Sequence, residues 1–477
     1  MFGGIQAQGL NVLRAAKLSA VSLLLTMLVA SPRWSWGQAQ SPFSGSVPTG
    51  QATGSTLPLS LKEAFERALK YNLGVIESDQ NTRLAHAARL RSLNALVPNI
   101  SARLSATIEQ INLAALGLSP HQFPGIPTIV GPFSVADARG YLSQQAFNWS
   151  DLKSWKSSVE AEKASALSYK SDRDLVVLVT GNAYLQAIAD GATVDSDRAQ
   201  VKTAQTLYDQ AVDQNKAGVI ASIDVLRAHV QLQTQQQSLI AAQNQLAIDK
   251  LTLARVIGLP TGQQFQLTDS VPYAPLGGIT LNQALQQAYV TRPDYLSAKA
   301  QVRSAQLARQ AAAAENYPTL SLDTNYGDIG SPNFAQSHGT FTFAGTLNIP
   351  LFQGTQVRAA KLQADAALQQ RKAELENLRG SIDDQVRTAF LNLNSSSELV
   401  AVAKSNMDLA NQTLTQAQDR FAAGVADNLS VVQAQQSVAS ANQSYIASLY
   451  SFNLAKISLA QAIGIAEQSA LQYLGVR

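Results

Sequence analysis

The side chains able to make or break bonds are few and far apart. His86, His121, His229 and His338 are the only histidines in 477 residues, and no two of them form an HExxH or comparable ligand pair. There is no cysteine, which excludes thiol catalysis, zinc-thiolate sites, disulfides and a lipid carried on an N-terminal cysteine. No GxxxxGK[ST] phosphate loop is present, so the chain is not its own motor. No catalytic residue, cofactor site or metal site is expected. The acidic residues that stand out are Asp224 and Asp427, each a few residues past a glycine turn, at Gly218 and Gly424. Their chemistry would be electrostatic: a carboxylate facing a passage, or one capping the helix that follows.

Those turns sit between long helices. From about Asp151 to Lys216 no proline interrupts a mixture of Ala, Gln, Ser, Leu, Lys and Asp, which amounts to a rod of ~100 Å. Gly181 and Gly191 mark breaks or small kinks in it. After Ala217-Gly218-Val219 a second helix returns over about 222–257 and stops at Gly258 and Pro260. Rods of this length need lateral support, so the helices flanking each turn pack as antiparallel pairs. Their small, amide-rich side chains give a thin apolar seam and a wet face.

The scheme is written twice. Thr280-Leu281-Asn282-Gln283-Ala284 repeats Ser60-Leu61-Lys62-Glu63-Ala64, and Pro318 repeats Pro98, both at an offset of 220. Gly424-Val425 repeats Gly218-Val219, Ala389-Phe390 repeats Ala183-Tyr184, and Ala462-Ile463-Gly464 repeats Val256-Ile257-Gly258, all at 206. The change of offset places a length difference in the inter-strand loops, 112–132 against 328–339. The expected organisation is a signal peptide over 1–39, a flexible segment over 40–58, and a first repeat over 59–260. That repeat holds a helix from Ser60 to about Leu96, strands at about 99–111 and 133–148, and helices 151–216 and 222–257. A linker over 261–279 leads to a second repeat over 280–466, with strands at about 319–327 and 340–350 and helices 354–422 and 428–463. A tail over 467–477 ends the chain. Ser60 is read as an N-cap with Glu63 as its capping-box partner.

The leader rests on Arg14 and Lys17 before an apolar run, Leu18 to Ala30, too short to span a bilayer comfortably. Without its three basic residues the chain carries 33 basic against 33 acidic side chains, so nucleic-acid binding has no electrostatic support. No run of 18 apolar residues remains, which leaves a β-barrel as the form a membrane span would take. In the last strand Phe341, Phe343, Leu347 and Ile349 share one face, and Thr340, Thr342, Ala344, Thr346 and Asn348 the other, the pattern of a lipid-facing strand. In the second strand Phe133, Val135, Tyr141 and Phe147 share a face. Four strands cannot close a barrel; three chains supplying twelve strands is the simplest closure. A soluble sheet packed on the helices is the alternative.

The sequences around the turns, Ala217-Gly218-Val219-Ile220-Ala221-Ser222-Ile223-Asp224 and Arg420-Phe421-Ala422-Ala423-Gly424-Val425-Ala426-Asp427, together with Ala183-Tyr184-Leu185, Pro350-Leu351-Phe352 and Ile257-Gly258-Leu259-Pro260, resemble the TolC-like outer-membrane efflux proteins of Gram-negative bacteria. The resemblance covers about residues 58–466. It implies a mainly α fold with a small β part, in which long antiparallel helical hairpins form an α-barrel. Four strands per chain join a trimeric 12-stranded transmembrane β-barrel, and the linker near 261–279 contributes to an equatorial belt. It implies an exit duct for small molecules in the outer membrane, reaching into the periplasm. Its partners would be two further copies, a periplasmic adaptor (membrane fusion) protein, an inner-membrane transporter of RND, ABC or MFS type, and outer-membrane lipid. By the same resemblance Gly218, Val219, Gly424 and Val425 are tip and adaptor-contact residues, though the two valines could simply staple their own turns. Relatives ring their closed mouth with aspartates where this chain has Ser430 and Gln433. Asp224 and Asp427 are the remaining candidates to line that aperture. Trp149, at the position of Gly354 in the other repeat, is read equally as an interfacial anchor or an equatorial packing residue. A type I secretion channel for polypeptides and a non-channel periplasmic coiled-coil scaffold are the competing functions.

Overall fold

The computed structural model describes residues 41–118, 121, 123–270, 273–331, 337–423, 425 and 428–475; the expected signal peptide lies outside them. After strand β1 (Leu57–Leu59), Ser60 opens helix α1 (Leu61–Tyr71) with a capping box. Its hydroxyl accepts from the Glu63 amide, and the Glu63 carboxylate accepts from the Ser60 amide. The single helix expected from Ser60 to Leu96 is in fact two. Asn72 leaves helical space at ψ 134°, and its side-chain oxygen accepts from Gly74 N–H at 2.9 Å to start α2 (Leu73–Asn94). The nitrogen of that side chain donates to Phe43 O at 2.8 Å, while Val47 N–H donates to Tyr71 O and Leu73 N–H to Gly45 O. The N-terminal segment expected to be flexible is therefore hydrogen-bonded along the break.

Strands β2 (Asn99–Asn112) and β3 (Ile129–Phe147) follow, and Asn148 caps α3 (Trp149–Lys216), a helix of 68 residues. It runs unbroken through Gly181 and Gly191. Gly181 is a contact position instead: a Cβ there would lie 2.6 Å from Ile457 Cδ1. Helix α4 (Ser222–Val256) returns alongside α3, and β4 (Phe265–Leu267) pairs in parallel with β1.

The second half has the same order of elements. Thr280 and Gln283 form a capping box at α5 (Leu281–Thr291), and α6 (Pro293–Ala313) starts after a break at Arg292. Strands β5 (Thr319–Gly330) and β6 (His338–Asn348) precede α7 (Gln356–Ala422) and α8 (Asn428–Ile463), and a short α9 (Ala466–Leu474) closes the chain. Arg292 does with its side chain what the N-terminal segment does at Asn72. It is buried and donates to Gln385 Oε1 at 2.8 Å, to Ala462 O at 3.1 Å and to both oxygens of Asp294.

Two apolar clusters lie where the short helices cross the long ones. Leu61, Phe65, Val176, Tyr184, Leu253 and Ile257 form the first, with Ile457 and Leu474. Leu285, Ile382, Val386, Leu459 and Ile463 form the second, with Phe452. Each fully buried Leu or Ile contributes about 1.5–3 kcal/mol. Helix α3 contains an apolar stretch long enough to cross a membrane, and its Val176, Val177 and Leu185 are buried in the first cluster. The Tyr184 hydroxyl lies 2.9 Å from Leu59 O and 3.0 Å from Asp269 Oδ2, tying α3 to the β1–β4 pair; burial raises its pKa. Asp174 accepts from Glu467 N–H at 2.8 Å, holding the start of α9 on α3.

Gly258 and Gly464 terminate α4 and α8 at φ +70° and +81°. The amide just after each glycine closes a six-residue turn, Leu259 N–H to Ala254 O and Ile465 N–H to Ala460 O. A Cβ on Gly464 would lie 2.6 Å from Arg292 Cα, and one on Gly258 2.8 Å from Tyr71 Cβ, whereas Gly218, at φ +76°, faces open space. Gly464→Ala and Gly258→Ala should therefore combine backbone strain of about 1–2 kcal/mol with overpacking of about 1–3 kcal/mol. Gly218→Ala should show the strain alone. Thermal unfolding followed by circular dichroism would rank them; equal losses at all three sites would contradict this account. Burial raises the Asp174 carboxyl to about 6, against about 3.9 in an unfolded chain. Between those values the folded state holds a proton that the unfolded state has lost, so this group's contribution falls as pH rises through the window. Asp174→Asn should flatten the dependence of stability on pH between about 4 and about 6, and an unaltered slope would clear Asp174 of that role.

Candidate functional site: the sheet and the helical tips

The four longer strands form one antiparallel sheet in the order β2-β3-β5-β6. Its register sorts the side chains. Ile100 faces Leu142 and Leu104 faces Ala138; Leu142 is level with Thr324, Tyr326 with Phe341, and Leu320 with Leu347. Successive side chains alternate between faces. Ile100, Leu104, Ile108, Leu142, Tyr326, Phe341, Phe343 and Leu347 thus lie on one face, unbroken across all four strands. Leu104 is 79% exposed, Ile100 77% and Phe341 78%. The opposite face carries Ser101, Arg103, Ser105, Asp137, Arg139, Asp323, Asn325, Thr342 and Thr346. Phe133, Val135 and Tyr141 belong to this polar face. Phe147 does not share a face with them, because a bulge between Gln145 and Phe147 shifts the register and sets it opposite Leu320.

Strands β2 and β6 each have one unpaired edge among the described residues. An apolar face this large with two open backbone edges is unstable in water. Strands of 11 to 19 residues reach the ~9–11 residues needed to cross a bilayer.

At the other end of the helices, Gly218 lets Val219 N–H reach back to Gln214 O at 2.9 Å, and Asn215 Nδ2 braces the turn on Ile220 O at 2.8 Å. In the second turn Val425 N–H makes the equivalent bond to Arg420 O at 3.0 Å. Gly424 and Asp427 lie outside the described residues. Val219 and Val425 are 66% and 67% exposed. Asp224 stands in the first turn of α4 and pairs with Arg227 at 3.2 Å. Its side chain thus has a local partner, and its carbonyl accepts from Asn428 Nδ2 at 2.9 Å. Ser430 and Gln433 are exposed on α8. Trp149 is the first residue of α3, its ring 6.3 Å from that of Phe147, with Lys153 Nζ 5.0 Å above it. Gly354 instead lies in a turn ahead of α7, at φ +60°.

Two features have no counterpart in the sequence reading. Buried Asn428 joins α8 to the start of α4 across the tip; the asparagine just after the second turn was its only signal. Ile223, Leu226, Val230, Leu429 and Val432 line a groove of about 360 Å³ between the two returning helices.

The fold and these surfaces define an α-helical protein with an amphipathic sheet of membrane type. The sequence profile described as outer membrane efflux protein matches residues 137–259 and 284–465. The toluene efflux pump outer membrane protein TtgC of Pseudomonas putida is 25% identical over 343 residues, 68% of this chain and 65% of that protein. The chain thus spans just under two thirds of that relative's length. The pyoverdine export outer membrane protein OpmQ of Pseudomonas aeruginosa is 24% identical over 427 residues, 87% of each chain. The CmeC outer membrane channel of Campylobacter jejuni superposes with a TM-score of 0.72 at 15% identity, covering 89% of this chain and 92% of that one. The chain belongs to the outer membrane efflux protein family. The family's description places its members in the outer membrane and ties them to efflux.

Leu104→Arg, on the apolar face, should cost about 2–4 kcal/mol at the bilayer midplane and deplete the protein from the outer-membrane fraction. Thr342→Lys, on the polar face, should leave that fraction intact. Equal depletion by both would refute the assignment of faces.

Proposed function

We propose that three copies of this chain close their four-stranded sheets into a twelve-stranded barrel in the outer membrane, with the helices continuing as a periplasmic tunnel. The assembly is a passive exit duct for small molecules. The observation that carries this reading is the open-edged sheet, whose one face is apolar across four strands and whose other face is polar. Membership in the efflux family supports it, and a relative named for toluene efflux supports small-molecule cargo. A coiled-coil scaffold would leave the exposed apolar face without a role.

The chain is an internal duplication, with repeats over 59–260 and 280–466. The two capping boxes, the breaks at Asn72 and Arg292, and the glycine turns at Gly258 and Gly464 support this. The belt includes the β1–β4 pair and the segment 261–279. Trp149, at the junction of sheet and helix, acts as an interfacial anchor. The tips meet a periplasmic adaptor through Val219, Val425 and the adjoining apolar groove, and the adaptor couples the duct to an inner-membrane transporter of RND, ABC or MFS type. Asp224 and Asp427 are the acidic candidates to line the mouth, with Ser430 and Gln433 in place of an aspartate ring.

The purified protein should require detergent and migrate as a trimer. It should also conduct ions in planar bilayers; a salt-extractable, non-conducting protein would end the duct reading. Val219→Asp with Val425→Asp should abolish efflux-dependent resistance in cells while the trimer and its conductance persist. Undiminished resistance would remove the tip valines from the adaptor contact. Asp427→Asn should lower permeability to cations relative to anions in the same bilayers, and an unchanged ratio would exclude Asp427 from the aperture.

A further inference from the structure

The polar face of the sheet carries a feature that the duct alone does not require. Arg103 on β2 stands directly opposite Arg139 on β3. Like charges at facing positions are unfavourable, so this pair needs compensation. Asp137 supplies it for one of the two: Arg139 Nε donates to Asp137 Oδ1 at 2.6 Å, and its Nη2 to the other carboxylate oxygen. Arg139 Nη1 also reaches Asn325 Oδ1 at 3.5 Å. On the far side Arg139 faces Gly327, where a Cβ would lie 2.8 Å from Arg139 Cγ. Ala138 O and Arg139 Cα would lie closer still, so the glycine admits the neighbouring backbone as well as the arginine stem. Arg103 has no carboxylate partner among the described residues. Its guanidinium lies 5.4 Å from the centre of the Tyr141 ring, which Arg139 approaches at 5.8 Å. One tyrosine thus sits beneath two guanidinium groups, and one aspartate answers two arginines.

The remaining ionisable groups on this face lie at other levels. Asp323 is opposite Ser143, four residues along the strand, or ~13 Å toward the helices. Glu109 is opposite Phe133, six residues or ~20 Å toward the inter-strand loops, and His338 is opposite Ile329, itself opposite Asp137, two residues or ~7 Å from the Arg139 level. The level of Arg103 and Arg139 therefore carries two positive charges and, through Asp137, one negative charge per chain.

We propose that Arg103, backed by Arg139, forms a cationic band inside the barrel that favours anionic solutes, small organic anions among them. The inference rests on the trimeric barrel proposed above, in which the band holds six arginines against three aspartates. A twelve-stranded barrel with strands about 4.8 Å apart and tilted by about 40° has a radius of about 12 Å. Arginines extending inward from that wall leave no path farther from a guanidinium than about one Debye length, ~10 Å at 0.1 M salt. Every permeating ion passes within reach of their charge.

The test is the reversal potential of the purified trimer in planar bilayers under a potassium chloride gradient at low salt. Arg103→Gln should move it toward the potassium limit, and Arg103→Lys should leave it where the wild type has it. Asp137→Asn should move it toward the chloride limit. Raising salt to 1 M, where the Debye length falls to ~3 Å, should weaken the wild-type preference. A trimeric, conducting Arg103→Gln protein with the wild-type reversal potential overturns the band. If that variant does not assemble, an unchanged reversal potential in Asp137→Asn overturns it equally. A wild-type protein that never conducts instead overturns the duct reading, so the two failures are distinguishable.

Discussion

A strand edge that offers N–H and C=O groups to lipid has no partner there, and every such group left unpaired costs several kcal/mol. The edges of β2 and β6 are in that position. The face they border carries Ile100, Leu104, Phe341 and Phe343, which cannot remain in water. Burying the face in a bilayer exposes the edges, and protecting the edges in water exposes the face. The proposed pairing with the edges of other copies inside a membrane would satisfy both. The rest of the chain is arranged around that requirement. Both hairpins must sit side by side, which the β3–β5 pairing achieves, and each must be delivered by a helix on either side.

Delivery depends on the crossing region, where the two halves meet the same demands with different residues. Both short helices break at one position and both returning helices end in a left-handed glycine against that break. At Asn72 the break is held by backbone from the N-terminal segment, at Arg292 by a guanidinium reaching the end of α8. The first half thus borrows a piece of chain that the second half has no equivalent for.

Features fixed by local chemistry were legible in the sequence. The capping boxes at Ser60 and Thr280 need only a hydroxyl and a carboxyl or amide three residues on, and the turn at Gly218 needs only a residue at ease with positive φ. Features fixed by distant contacts were not. The break at Asn72 depends on Phe43 and Gly45, far away in sequence, although Pro293 at the first position of α6 was a local signal for the equivalent break. The face of β3 was obscure because aromatic residues on the polar side, Phe133 and Tyr141, look like lipid-facing ones, and the bulge before Phe147 leaves no mark in the alternation. Gly181 reads as a helix weakness until Ile457 is seen against it. Asp224 reads equally as a carboxylate facing a passage or a helix cap, and the structure sets Arg227 beside it.

Packing along the rods is uneven. At the crossing region two broad clusters hold them. Near the tips, among the described residues, the buried apolar cluster is small: Leu207, Phe421 and Val431, with Leu414 and Ala417 at its margin. On the returning helices Gln231 and Gln435 are also buried, their side-chain nitrogens without a hydrogen-bond partner among the described residues. A buried amide donor left unpaired costs about 1–3 kcal/mol, so these glutamines withdraw stability at the end where apolar burial is already least. Local stability follows buried apolar contact. The rods are therefore clamped at the crossing region and weakly held at the tips, where Asn428 bridging to the Asp224 carbonyl is the polar tie between the two hairpins.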